Sequence, residues 1–130
     1  MLSKPISLSD FELELMQIFW EQGTLTAPEM HRSIKTKREV SYSTVKTIID
    51  RLEVKNAIKR TKIEGKTIFY DAILEKQKAR LPMVKNFIDR VFMGKSQPLA
   101  AHIISETELT ESDIEYLEKI LKERKKEIKR

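Results

Sequence analysis

The sequence predicts a mainly α fold in two parts, residues 1–73 with one β-hairpin and residues 74–130 with helices alone. Three observations predict it. Ser9–Glu12, Thr26–Glu29 and Thr110–Asp113 each set a hydroxyl residue three places before a carboxylate and just ahead of an apolar run, a local signature of a helix N-terminus. Two runs rich in β-branched and aromatic residues, 57–63 and 66–72, flank Glu64-Gly65, which reads as a hairpin. With 3 Gly and 4 Pro in 130 residues and 35% charged residues, helix formers dominate, and an all-β fold does not fit.

Taken in order, Ser9 caps a first helix from Asp10 to about Glu21, with Leu8 and Leu13 spaced for a hydrophobic staple. That helix buries Phe11, Leu15, Ile18 and Phe19; Trp20 is assigned to the core, and Gly23 suits the left-handed position past the end. Thr26 caps a second helix, Ala27 to about Lys35, whose Met30 and Ile34 face inward, with His31 as an ordinary surface residue. Ser41 caps a third helix reaching Lys55, and Asn56 can take the left-handed turn that ends it. Val45, Ile48, Ile49 and Leu52 form its apolar face; Tyr42, Ser43, Lys46, Thr47 and Asp50 form the other. After the hairpin, Gln77 to Phe92 repeats Leu81, Val84, Ile88 and Val91 on one stripe, with Pro82 either kinking the helix or marking its first turn. Gly94 ends it, a short helix runs from Ser96 through Ile104, and Thr110 caps a last one carrying Ile114, Leu117, Ile120, Leu121 and Ile128.

Charge layout narrows the function. The net charge is +5, but residues 32–66 alone hold eleven Lys and Arg against four acids, while residues 96–121 hold one against six. A basic block around the third helix is the footprint of a polyanion-binding face. Three helices followed by a basic hairpin describe a winged helix-turn-helix, in which the third helix enters the major groove of double-stranded DNA and the hairpin, the wing, touches backbone or minor groove. The fifty-odd residues from 74 onward bury little by themselves, so they are expected to form a small all-helical dimerisation domain through Leu81, Val84, Ile88, Val91, Ile114, Leu117 and Leu121. There is no Cys, which excludes disulfides and thiolate metal sites. No nucleophile–base pair, metal-ligand cluster or Gly-rich phosphate loop occurs, so neither an enzyme nor a cofactor or metal is expected. The N-terminus lacks an apolar signal core, and no run approaches the ~20 apolar residues of a membrane span, which predicts a cytoplasmic chain without membrane insertion.

Specific residues also match a known group. Leu8 to Met16 with Trp20, then Ser43-Thr44-Val45, Asp50-Arg51-Leu52, Lys55, Gly65 and Tyr70, resemble the penicillinase-repressor family (BlaI/MecI/CopY type) of winged-helix transcriptional repressors. The layout of Gly94 to Ile114 is similar too, and the likeness covers nearly the whole chain. The resemblance implies a homodimer that binds palindromic operators and blocks transcription. In resistance-type members it also implies relief by a membrane-bound sensor metalloprotease that cuts the dimerisation domain. The aligned segment here is Leu99 to Ile104, and His102–Ile103 stands where those members have Asn–Phe. The copper-responsive branch carries a C-terminal Cys cluster that this chain lacks, and Asn56 replaces the relatives' Gly after the third helix.

On this reading Ser41 and the first-turn amides of the third helix grip a phosphate, and Ser43, Lys46 and Thr47 face base edges. Tyr42, Arg51, Lys59, Arg60, Lys62 and Lys66 contribute backbone contacts, while Asp50 pairs with Lys46 or points away. The competing reading is a winged helix used only for protein–protein contact, without sequence-specific DNA binding; the basic layout argues against it.

Overall fold

The computed structural model describes residues 6–129. The first five residues of the N-terminal stretch, and Arg130 at the end of the basic tail, lie outside the described residues. The elements run α1 (Asp10–Gln22), β1 (Leu25–Thr26), α2 (Ala27–Lys35), α3 (Tyr42–Val54), β2 (Ile58–Glu64), β3 (Thr67–Ala72), α4 (Lys76–Val91), α5 (Ser96–Glu106) and α6 (Glu111–Ile128).

All three capping boxes form. Ser9, Thr26 and Thr110 accept from the amides of Glu12, Glu29 and Asp113, whose carboxylates accept in return from the cap amides. Asn56 takes φ 62°, the left-handed turn expected of it, and Gly23 has φ 84° with an extended ψ of −139° that only glycine adopts readily. Pro82 falls inside α4, of the two positions the sequence allowed.

The hairpin gains a strand that sequence reading did not foresee. β1, only two residues long, pairs antiparallel with β3 through Leu25–Tyr70 and Thr26–Phe69, giving the order β1-β3-β2. β2 and β3 are joined by a two-residue turn at Gly65-Lys66, with Gly65 at φ 61° in the glycine-first manner of a type II′ turn. A bulge lies in β2 between Arg60 and Lys62. Arg60 lies opposite the buried Tyr70, but past the extra residue Lys62 lies opposite Phe69 and Ile63 opposite Ile68. The slip turns Lys62 to the outer face of the sheet and Ile63 to the face of Tyr70.

Contacts divide the chain into two units, one ending at Asn86 and the next beginning at Phe87. The first unit takes in the start of α4, where Ala79 is buried in its core. That core joins Leu15, Met16, Ile18 and Phe19 of α1, Met30 and Ile34 of α2, Val45, Ile49 and Leu52 of α3, and Ile58 and Tyr70 of the sheet. Phe11 is only half-buried, with the Arg38 guanidinium 4.5 Å from its ring centre. Trp20 packs on the core and its indole N–H donates to the Leu74 carbonyl at 2.8 Å, fixing the exit of β3 against α1. Trp20→Phe keeps most of the packing but leaves that carbonyl unmatched; a loss of about 1 kcal/mol is expected in urea unfolding followed by circular dichroism.

Candidate nucleic-acid interface

α3 is seated by Val45, Ile48, Ile49 and Leu52, all buried, which forces the residues between them outward. Tyr42, Ser43, Thr47, Asp50 and Arg51 are exposed and Lys46 is half-buried. The Ser41 hydroxyl accepts from the Thr44 amide at 3.2 Å and lies 2.9 Å from the Thr44 hydroxyl and 3.2 Å from that of Ser43. It is thus committed to capping, and an anion at this end would meet the remaining first-turn amides. Thr47 donates its hydroxyl proton to the Ser43 carbonyl at 2.9 Å, so it presents a methyl and lone pairs outward. Lys46 Nζ donates to Asp50 Oδ1 at 2.6 Å, and this bond holds the ammonium above its ordinary value.

The wing meets the N-terminal half of α3 at a cleft. Tyr42, Lys46, Lys66 and Tyr70 line a cleft of about 100 Å³ floored by Ala27 and Ile68. The Tyr70 hydroxyl is buried and has no hydrogen-bond partner among the described residues. The other wing cations are spread out. Lys62 pairs with Glu64 at 2.6 Å and lies 5.8 Å from the Phe69 ring centre, and Lys59 sits opposite Asp71. Arg60 does not join them: its guanidinium holds Glu53 of α3 at 2.7 and 3.3 Å. This strap ties β2 to the C-terminal half of α3 and neutralises much of the charge that Arg60 could offer a phosphate.

Two supports of this face were not read from the sequence. His31 is half-buried; its Nε2 lies 2.8 Å from the Val40 carbonyl and its ring meets Tyr42 edge-on at 5.8 Å. It braces the link that delivers the chain into α3. Lys55, just past α3, donates to the Ser7 carbonyl at 2.8 Å and to buried Glu12 at 2.7 Å, fastening the end of α3 to the start of α1. Glu12 was legible as the N3 residue of a capping box; its partner 43 positions away carried no local signal.

From Phe87 to Lys129 no described residue is buried. Of the seven residues expected to mediate dimerisation, Leu81, Val84, Val91, Ile114 and Leu121 are exposed and Ile88 and Leu117 half-buried. His102 and Ile103 are exposed within α5. No helix among the described residues is long and apolar enough to cross a membrane.

Known proteins share this arrangement. A family model described as penicillinase repressor matches residues 8–123. The penicillinase repressor of Staphylococcus aureus is 31% identical over 121 residues, which cover 93% of this chain and 95% of that protein. The methicillin resistance regulatory protein MecI of Mammaliicoccus sciuri is 30% identical over 119 residues, covering 92% and 96%. The solution structure of monomeric Bacillus licheniformis BlaI in complex with the blaP half-operator superposes with a TM-score of 0.50 at 26% identity, covering 59% of this chain and 93% of that one.

Proposed function

Because this chain belongs to the penicillinase repressor family, we propose that it is a DNA-binding transcriptional repressor, acting as a homodimer on a palindromic operator. The observation that supports the reading is the seating of α3: its apolar face is locked into the core, Ser43 and Thr47 are exposed, and Lys46 lines a cleft with a wing lysine, Lys66. Lys46 supplies donors for guanine O6 and N7, and the outward methyl of Thr47 suits a thymine methyl. The first-turn amides that Ser41 leaves free, with Tyr42, Arg51, Lys59, Lys62 and Lys66, serve the phosphates, which set register and carry no base information. Arg60 acts mainly as the strap on Glu53.

In this reading residues 74–130 form the dimer, so that two copies of α3 meet two half-sites. Relief of repression falls to α5, by cleavage at His102–Ile103 by a membrane-bound sensor metalloprotease. Both residues lie mid-helix, so α5 has to open locally before a protease can take the strand it needs.

The test is a mobility-shift titration with the promoter of the protein's own operon and with unrelated DNA, at two salt concentrations. Lys46→Ala is expected to weaken operator binding about tenfold while leaving unrelated DNA little changed. Lys66→Gln is expected to weaken both alike and to lower the salt slope by about one per site. Equal affinity of the unaltered protein for both DNAs would instead favour a protein–protein module.

A further inference from the structure

Asp50 is a carboxylate on a face that should meet phosphates, and neither fold nor stability accounts for it. The Lys46–Asp50 pair joins two residues of one helix, one turn apart, with side chains 34% and 53% exposed. Such a pair contributes only a few tenths of a kcal/mol, and Lys before Asp is the less favourable order along a helix. The Arg60–Glu53 pair, by contrast, joins two elements. What Lys46–Asp50 does present is a donor and an acceptor side by side, 2.6 Å apart, on the outward face of α3.

We propose that Lys46 and Asp50 together read a single G·C base pair, with Asp50 the residue that selects it. The inference rests on α3 being the recognition helix. In the major groove a G·C pair shows two adjacent acceptors, guanine N7 and O6, and beside them the N4 donor of cytosine. The Lys46 ammonium takes the two acceptors and the Asp50 carboxylate takes the donor. On A·T the adenine N6 donor stands between the two acceptors, so the ammonium reaches one of them only. Away from its base pair, Asp50 keeps the Lys46 charge occupied and repels phosphate, which lowers affinity for unrelated sequences. Lys46 is half-buried and shares the lining of the cleft behind the pair with Tyr42 and Tyr70, which limits the freedom of its stem.

The experiment is selection of binding sites from a random duplex pool, at one salt concentration, by the full chain and by Asp50→Ala, Asp50→Asn and Lys46→Ala. Asp50 is exposed, so the variants are expected to keep the circular dichroism of the parent. The parent should select a motif with a fixed G·C pair in each half-site. Asp50→Ala should relax that one position about tenfold, leave the others unchanged and bind random duplex more tightly. Lys46→Ala should relax the same position. Asp50→Asn, whose amide both donates and accepts, should move the preference there toward adenine. An Asp50→Ala motif identical to the parent's at every position would overturn the inference and leave DNA recognition by α3 standing. So would relaxation by Lys46→Ala at a position that is not G·C. A parent that selects no motif would remove the recognition-helix reading and this inference with it.

Discussion

Leu121→Asp is expected to split the proposed dimer into monomers and to reduce operator affinity by about a hundredfold or more. Leu121 is 66% exposed and Ile114, two turns before it on the same stripe, 46%. In a single chain the substitution therefore disturbs little, and helix content should persist. In a symmetric pair each apolar side chain acts twice, and burying one Leu contributes about 2 kcal/mol. A carboxylate in its place also has to be dehydrated without a partner, which adds to the loss. Sedimentation at fixed protein concentration, paired with an operator titration, checks both halves. A variant that still sediments as a dimer would take the last helix out of the interface.

Lys55→Met is expected to cost about 2–3 kcal/mol in thermal or urea unfolding. Glu12 is 2% exposed; its Oε1 accepts from Lys55 and from the Ser9 amide, and its Oε2 has no partner among the described residues. Without Lys55 the carboxylate is left buried with only its capping bonds. The loss stays at the lower end for a buried pair because the Lys55 side chain is itself 38% exposed. The pH dependence carries a sign. Burial alone raises the Glu12 pKa, but hydrogen bonds from Lys55 and Ser9 outweigh it and hold the group below its ordinary 4.5. A depressed carboxylate stabilises the fold above that value, and the contribution is lost as pH falls through the folded-state pKa. Lys55→Met removes the strongest of the lowering interactions, so it should flatten the acid limb of the stability profile as well as lower its plateau. Stability unchanged at pH 7 would mean that the ammonium does not hold the carboxylate in solution. The orientation of α3 is at stake too, because this bond fixes its far end.

What the sequence made legible was whatever is decided within about four residues. Three helix starts were readable because a capping box is a conversation between neighbours, and the seating of α3 because an i, i+3, i+4, i+7 pattern states which side is inside. The Lys46–Asp50 pair was one of the two arrangements that the same spacing allowed. The missed features all join distant positions. β1 is two residues whose strand character comes only from pairing with Tyr70 and Phe69. The Lys55–Glu12 bond spans 43 positions, and the bulge that rephases β2 depends on a register set across the hairpin. Arg60 counted as one more cation in a basic run, and its assignment to Glu53 required knowing where β2 crosses α3. Ala79, a small residue with no periodic signal of its own, is buried in the core without a local pattern to announce it.

β2 is the last strand of its sheet, and no described strand pairs with its far side. An open strand of seven residues is a template on which another chain can add itself, the first step toward aggregation. Lys59, Arg60 and Lys62, with the bulge between the last two, make that edge a poor template by repulsion and by bending it out of register. The wing's charge thus serves colloidal stability as well as recognition. Exchanging its lysines for apolar residues would confound a lost operator contact with precipitation, whereas glutamine keeps the edge polar and lets the two be separated.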